Sequence, residues 1–173
     1  MNRATGIKHL SPAKEAAMIA IMAAMLEVCK QVLNAIPNVE LISFLLVVFT
    51  LRFGIRRSIA AAWIFTALEI FTWGIQLWVV FYIYTWPVLI ILTYLFRRYD
   101  KAIVFALISG LFGLSFGALS ALVYVFTSGI HTAIAWWMAG LTYDLIHGVS
   151  NFVIMLVLYR PVMNVLRRIN LGE

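Results

Sequence analysis

The chain has 173 residues, of which 64% are hydrophobic and 12% are charged, and its mean hydropathy is +1.00. An average soluble domain is about 45–50% apolar and about 25% charged. A chain this short has too little interior to hide so much apolar surface from water. The composition therefore excludes a water-soluble globule, and the high hydropathy also excludes a disordered chain.

The formal net charge is +6, with 13 Lys and Arg residues against 7 Asp and Glu residues. A basic balance in a soluble protein suggests nucleic-acid binding, but in a membrane protein it follows from basic cytoplasmic loops. We favour the second interpretation and expect no nucleic-acid partner. The single cysteine, Cys29, excludes an internal disulfide and a multi-cysteine metal site, and the sequence predicts neither a metal nor a cofactor.

The apolar runs predict six transmembrane spans in one all-α domain that covers residues 1–173. A span needs about 20 mostly apolar residues, so six spans leave only short loops and tails. The start of the chain lacks the apolar stretch of a cleaved signal peptide, and we expect the first apolar run to be a retained span. Pro87 lies inside the fourth span and should kink it. The expected spans are residues 13–35, 39–51, 58–73, 77–96, 102–126 and 132–159.

The basic residues sort to one side of this six-span arrangement. Twelve of the thirteen lie before span 1, between spans 2 and 3, between spans 4 and 5, or after span 6, and only Lys30 does not. Because basic residues are enriched in cytoplasmic loops, both termini are predicted to be cytoplasmic. The twelve are Arg3, Lys8, Lys14, Arg52, Arg56, Arg57, Arg97, Arg98, Lys101, Arg160, Arg167 and Arg168.

Charged side chains also lie within the predicted spans, where each costs about 2.5–3.5 kcal/mol on insertion scales and usually faces a cavity or a partner. They are Glu27, Lys30, Glu40, Glu69 and Asp144. Most belong to stripes of polar or aromatic residues at helical spacing, and converging stripes would line one outward-facing pocket. The stripes are Glu27, Lys30, Gln31 and Asn34 in span 1, Thr66, Glu69 and Trp73 in span 3, Trp78, Tyr82 and Trp86 in span 4, and Trp137, Gly140, Asp144, His147 and Asn151 in span 6.

These residues also have purely structural interpretations. Lys30 could neutralise Glu27 one helical turn away. His147 could be a packing residue that is bonded to Asp144. Tryptophans near span ends commonly form interfacial belts, and this alternative applies to Trp73, Trp78 and Trp136.

Small residues form a second pattern, because small side chains four residues apart let helix backbones approach closely in lipid. In span 1 they either pack inside the bundle or bind another membrane protein, and the pattern alone favours the interior. In span 5 they indicate internal close packing. The two sets are Ala13, Ala16, Ala17, Ala20 and Ala24 in span 1, and Gly110, Gly113, Gly117 and Ala121 in span 5.

Three segments carry a resemblance to a known family, and their order spans nearly the full chain. The segments read AAMIAIMAAM in span 1, IPNVELISF directly after it, and AGLTYDLIHGVSN in span 6. The matching residues are Ala16, Ala20, Ala24, Pro37, Asn38, Glu40, Asp144, His147 and Asn151. With its size and six predicted spans, the chain resembles the substrate-binding S component of energy-coupling factor (ECF) transporters, which capture vitamins in prokaryotes.

The resemblance implies a six-helix S-component bundle in a prokaryotic plasma membrane that binds a vitamin from outside and is not an enzyme. It would dock through Ala16, Ala20 and Ala24 onto a transmembrane coupling subunit of the EcfT type, and topple to release its substrate inside. Two separate ATPase subunits would drive the complex, which agrees with the lack of a phosphate-loop motif in this chain. The predicted substrate-binding residues are Gln31, Asn34, Asn38, Glu40, Glu69, Trp73, Trp78, Tyr82, Trp86, Trp137, Asp144, His147 and Asn151.

The charges of the predicted pocket suggest the kind of ligand. Four acidic residues against Lys30 disfavour an anionic vitamin such as folate, biotin or pantothenate. Aromatic walls suit a flat ring, so we expect a neutral or cationic ligand and prefer a cobalamin-type or pyridoxine-type compound. Two other functions stay open, a proton-coupled secondary transporter and a membrane enzyme, each using Asp144 and His147.

Overall fold

The structure, a computed structural model, describes residues 10–168. Within that range the regular structure is entirely helical, with no β-strand. The first helix begins where the sequence predicts, since Ser11 Oγ accepts a hydrogen bond from the Lys14 N–H at 3.4 Å and Pro12 follows. The helices are α1 (Pro12–Leu33), α2 (Ile42–Phe53), α3 (Ile55–Trp73), α4 (Leu77–Val80), α5 (Tyr82–Leu95), α6 (Ala102–Leu114), α7 (Phe116–Ser128) and α8 (Ile130–Arg168).

Four helical stretches of residues 10–168 are long and apolar enough to cross a membrane, which is the character expected of a helical membrane protein. Two of them are single helices, α1 and α8, and two are consecutive pairs, α4 with α5 and α6 with α7. The remaining two predicted spans correspond to α2 and α3. At 1.5 Å per residue α2 is about 18 Å long, shorter than the ~30 Å hydrocarbon core of a bilayer. The count of six crossings therefore stays a prediction.

Helix α2 lies inside the protein. Nine consecutive residues, 42–50, are buried, so the helix is covered by other helices on every side. A helix that is apolar all round is covered either by protein or by lipid, and here the cover is protein. It begins three residues later than predicted, because the preceding segment turns and the Glu40 carboxylate accepts a hydrogen bond from the Ser43 N–H at 2.8 Å.

The backbone hydrogen bond that Pro87 removes from α5 is replaced by a bond from another helix. Pro87 lies inside α5 and has no N–H to donate to the carbonyl of Ile83, four residues earlier. The indole N–H of Trp63, on α3, donates to that carbonyl at 3.1 Å. Helix–helix packing thus supplies the hydrogen bond that proline removes, which is how proline is tolerated in membrane helices.

Helix α8 is longer than predicted. The expected span ends at residue 159 with Pro161 beyond it, but the helix continues through Pro161 to Arg168. The helix therefore extends nine residues past the end of the predicted span. At 1.5 Å per residue the 39 residues of α8 extend about 58 Å, roughly twice the thickness of a hydrocarbon core.

The two sets of small residues have different environments. A Cβ added at Gly113 would lie 2.9 Å from the backbone of Gly148, and one at Gly110 would lie 3.1 Å from Phe152 Cβ. Close packing of α6 on α8 is therefore confirmed. The interior interpretation of the span 1 alanines is wrong, since Ala13, Ala16, Ala17, Ala20 and Ala24 are all exposed. Helix α1 instead buries Met22, Ala23 and Leu26.

The basic loops gather at one end of the bundle, which we call the basic end. Helix α1 starts at this end, so its last residues and the segment after it lie at the opposite end. Arg3 and Lys8 lie outside the described residues. Three polar contacts join the chain segments at the basic end: Arg57 Nε to Glu15 Oε1 at 3.1 Å, Arg52 Nε to the Leu166 carbonyl at 3.0 Å, and Arg167 Nη2 to Asp100 Oδ2 at 2.7 Å.

Candidate functional site

Two adjoining cavities lie at the end of the bundle away from the basic loops. The larger one, the aromatic cavity, has a volume of about 340 Å³. The smaller one, the histidine cavity, has a volume of about 210 Å³. Asn38 and Phe116 line both cavities, so the two spaces share one boundary between the segment before α2 and the start of α7.

The walls of the aromatic cavity come from α4, α7 and α8 together with Phe81, which joins α4 to α5. Tyr124 stacks on Trp136 at 4.4 Å between ring centroids, and the Trp136 indole N–H donates to Ser120 Oγ at 3.1 Å. Rings held in this way form a rigid apolar surface for another flat ring. The aromatic lining residues are Trp78, Phe81, Phe116, Tyr124, Trp136 and Tyr143.

Asp144 is the charged side chain of the aromatic cavity, and it is held by the start of α7. Its side chain is 6% exposed, and Oδ1 accepts a hydrogen bond from the Gly117 N–H at 2.8 Å. Oδ2 has no hydrogen-bond partner among the described residues. A Cβ at Gly117 would collide with the carboxylate oxygens, so only glycine allows this approach. Gly117 is therefore close-packed as predicted, but against a carboxylate.

The histidine cavity contains a buried acid–imidazole pair. His147 Nε2 lies 3.2 Å from Glu40 Oε1, and the His147 ring packs edge-on to Phe116 at 4.6 Å. Nδ1 of His147 has no partner among residues 10–168. The interpretation in which His147 bonds to Asp144 is wrong, because His147 bonds to Glu40 and Asp144 bonds to Gly117.

The segment before α2 is fastened to α8 by two further hydrogen bonds. Asn38 has a left-handed backbone with φ of 57°, and its carbonyl accepts a hydrogen bond from Ser150 Oγ at 2.9 Å. Asn151 is 2% exposed and its amide donates to Ser43 Oγ at 3.1 Å. Asn151 therefore joins α8 to α2, and it supports the histidine cavity from outside its lining.

Lys30 pairs with an acid on another helix. Its Nζ lies 2.9 Å from Oε2 of Glu69, which is fully buried, and 3.2 Å from the Tyr82 hydroxyl. It also lies 4.8 Å from the centroid of the Trp78 ring, a cation–π distance. The alternative interpretation in which Lys30 neutralises Glu27 is therefore wrong in its partner. Lys30 itself lines the histidine cavity, although it is absent from the predicted binding residues.

The structure divides the predicted binding residues into three groups. Asn34, Asn38, Glu40, Tyr82, Trp86 and His147 line the histidine cavity, and Asn38, Trp78 and Asp144 line the aromatic cavity. The remaining five line neither cavity: Gln31, Glu69, Trp73, Trp137 and Asn151.

The residues of that third group have other contacts. Gln31 donates to Glu27 Oε1 at 2.7 Å, and Trp73 packs edge-on to Trp78 at 6.5 Å. Trp137 is 41% exposed, whereas its neighbour Trp136 lines the aromatic cavity. Both tryptophans satisfy the helical spacing to Gly140, so spacing could not distinguish them.

The positions of the acids change the charge of the site. Glu27 and Glu69 line neither cavity, so the lining acids are Glu40 and Asp144, against Lys30. The excess of negative charge expected from the sequence is therefore smaller than predicted. The argument for a neutral or cationic ligand now depends mainly on Asp144, whose Oδ2 has no partner among the described residues.

One enzyme-like motif occurs beside the site. Residues 113–117 read Gly-Leu-Ser-Phe-Gly, which fits the G-x-S-x-G pattern of hydrolase nucleophiles. That motif requires a strand–turn–helix context, but Ser115 joins two helices and its hydroxyl donates to the Leu111 carbonyl at 2.8 Å. The geometry of a nucleophile elbow is therefore not formed here.

No family model, curated protein or solved structure matches the chain. What the fold establishes is the general class, a helical bundle with several helices able to cross a membrane. The resemblance to ECF S components rests on the three sequence segments alone.

Proposed function

We propose that this chain is the substrate-capturing S component of an ECF-type importer, a multi-pass protein of a prokaryotic plasma membrane with cytoplasmic termini. Its ligand would enter the aromatic and histidine cavities from outside, and it would act as a binding subunit with no enzymatic activity. One observation carries the proposal: three buried polar atoms on residues that line these cavities have no hydrogen-bond partner in the described chain.

The three atoms are Asp144 Oδ2, His147 Nδ1 and Trp86 Nε1. Their residues are 6%, 3% and 2% exposed. A buried polar group that makes no hydrogen bond costs about 1–3 kcal/mol. Most buried polar groups in proteins therefore have a hydrogen-bond partner. A small molecule with both a donor and an acceptor would satisfy these atoms, and the gain would contribute to its affinity.

The dimensions and chemistry of the cavities favour one of the two preferred ligand types. Ligand pockets usually measure about 300–1,000 Å³, and the aromatic cavity, at about 340 Å³, is at the small end of that range. Its stacked rings and single carboxylate suit a small heteroaromatic ring that is neutral or cationic. A pyridoxine-type compound therefore fits better than the much larger corrin ring of cobalamin.

The exposed alanines of α1 support the docking part of the proposal. Ala16, Ala20 and Ala24 lie one turn apart on an exposed face, where another membrane helix could approach closely. The partner would be the transmembrane coupling subunit, which is associated with the two ATPase subunits.

The tagged chain, purified from its own membranes, tests docking and binding separately. We expect an ATPase-associated complex to co-purify with the wild-type chain and with Ala135→Leu, which enlarges an exposed alanine on α8. Ala20→Leu should lose the complex and keep ligand binding. Retention of the complex by Ala20→Leu would contradict docking through α1, and release of a chemically changed ligand would contradict a pure binding subunit.

The two alternative functions lack a supporting contact. Both a proton relay and an acid–base enzyme would use Asp144 with His147, and these side chains bond to Gly117 and Glu40 instead. Uptake that collapses with an uncoupler but needs no ATPase partner would favour the secondary transporter. Turnover by the purified chain alone would favour the enzyme.

A further inference from the structure

A third cavity lies at the basic end, far from the aromatic and histidine cavities. Its volume is about 290 Å³, and it is formed by the end of α2, the α5–α6 loop and the last turns of α8. Its charged lining residues are Arg52, Arg97, Arg167 and Asp100. Three positive charges against one negative charge leave a formal +2 on the lining. We call this space the arginine cavity.

Two of the arginines are oriented by contacts that leave most of their donors available. Arg97 lies 3.7 Å from the centroid of the Tyr94 ring, and its Nη1 donates to the Tyr94 carbonyl at 2.7 Å. Arg167 donates through Nη2 to Asp100 Oδ2 at 2.7 Å. A guanidinium carries five N–H donors in a planar fork, and these contacts use one donor of each. The fork geometry matches phosphate as well as carboxylate.

The surroundings add positive charge to the cavity. Burial acts to raise the pKa of Asp100, but hydrogen bonds from Arg167 and Tyr159, together with the charges of Arg167 and Arg160, hold its pKa below the ordinary value. Asp100 is therefore a full carboxylate at neutral pH, and it pairs with Arg167. Arg97 has no acidic partner among the described residues, so an anion placed between Arg97 and Arg167 would be attracted by both.

We propose that the arginine cavity binds a phosphate group between Arg97 and Arg167. Basic cavities between membrane helices on the cytoplasmic side are suited to anionic lipid headgroups. The loop beside the cavity exposes Leu95, Phe96 and Tyr99, which are 63%, 42% and 55% exposed and offer an apolar surface to an acyl chain. The phosphate comes either from such a lipid or from free phosphate. This site is independent of the ligand and partner proposed above.

Two binding measurements on the purified full chain distinguish the sources. In the first, short-chain phosphatidylglycerol is titrated into the chain in neutral detergent, with phosphatidylcholine as the comparison. In the second, inorganic phosphate is titrated at constant ionic strength against chloride. Saturable binding of phosphatidylglycerol identifies a lipid site, and saturable binding of phosphate alone identifies a free-phosphate site. Saturation by neither probe overturns the proposal.

Matched variants test the location of the site. Arg97→Gln and Arg167→Gln should each weaken binding about tenfold, because each removes a charged fork from the cavity. Arg98→Gln and Arg168→Gln remove the same charge from exposed neighbours that do not line the cavity, and each should weaken binding less than about threefold. Thermal unfolding of each variant shows whether it is folded. If Arg97→Gln does not fold, the comparison of Arg167→Gln with Arg168→Gln decides the outcome. The matched pairs are Arg97→Gln with Arg98→Gln and Arg167→Gln with Arg168→Gln. An equal loss of binding in both members of a pair would mean that only surface charge attracts the anion, and it would overturn the proposal.

Discussion

The ion pair between Lys30 and Glu69 gives the sharpest stability prediction. Glu69 is fully buried, whereas the Lys30 side chain is 20% exposed. Lys30→Met keeps the length and apolar stem of the side chain but removes the charge that faces Glu69. The remaining carboxylate must then stay buried without its cation or take up a proton, and both options destabilise the folded chain.

Protonation sets the upper limit of this effect. A carboxyl with a reference pKa of about 4.3 costs about 3.7 kcal/mol to protonate at pH 7, at 1.36 kcal/mol per pH unit. Breaking a buried pair by removing one partner typically costs 3–5 kcal/mol, so with this limit we expect Lys30→Met to destabilise by about 3–3.7 kcal/mol. The loss should shrink by about 1.4 kcal/mol for each unit that the pH is lowered towards 5.

The reverse substitution should be milder. Glu69→Met leaves Lys30 partly exposed and still close to the Trp78 and Tyr82 rings, so its loss should be about 1–2 kcal/mol. The double variant replaces both charges by apolar groups and should lie close to wild type. Lys101→Met, an exposed lysine at the basic end, is the control for loss of a charge.

Reversible unfolding in mixed micelles, measured at pH 7 and pH 5, supplies the free energies of unfolding of the wild type and the four variants. The reasoning would be refuted if Lys30→Met were as stable as Lys101→Met, or if the double variant were no more stable than Lys30→Met. A loss in Lys30→Met that does not change with pH would show that the cost does not come from a stranded carboxyl.

Three further predictions concern other contacts. Gly117→Ala should cost about 1.5–3 kcal/mol, because it displaces the cavity carboxylate from its backbone hydrogen bond. Gly140→Ala, where an added Cβ meets nothing within 4 Å, should leave the thermal unfolding midpoint unchanged. Trp63→Phe leaves the Ile83 carbonyl without its hydrogen bond and should lower the free energy of unfolding by about 1–2 kcal/mol. Trp137→Phe should not change the free energy of unfolding. Asp100→Asn removes an exposed ion pair worth at most about 1 kcal/mol. Since the folded pKa of Asp100 lies below its ordinary value, this contribution is present above about pH 4 and is lost as the pH falls through the folded value. The free energies of unfolding of wild type and Asp100→Asn should therefore converge as the pH is lowered through the folded pKa of Asp100, and a difference that stays constant would contradict the assignment.

Hydropathy and the positions of basic residues predicted the helical character of the chain and the location of its helices well. The burial of apolar surface and the cost of charge in lipid depend on the composition of each sequence segment by itself, so their effects can be predicted from the segment alone. The enclosed position of α2 could not be read in this way, because a short apolar run looks the same whether lipid or protein covers it. The length of α8 was also not predicted, because a proline normally ends a helix, whereas Pro161 lies inside α8.

The candidate site was only partly predictable. Helical spacing identified Tyr82, Trp86, Asp144 and His147, which the structure brings to the two cavities. It could not determine which charged groups pair across helices, because Lys30 is separated by 39 residues in sequence from Glu69 and His147 by 107 from Glu40. These pairings depend on tertiary packing, which also keeps Glu27 and Glu69 out of the two cavity linings and so changes the charge on which the choice of ligand was based.

The central claim is that the two adjoining cavities hold a small molecule that bonds to Asp144. Mass spectrometry of the organic extract of the purified chain tests it directly. We expect a small heteroaromatic molecule in near-stoichiometric amount from the wild type and from Thr142→Ala, an exposed position on α8, and its loss from Asp144→Ala. The absence of any enriched small molecule, or equal retention by Asp144→Ala, would contradict the account.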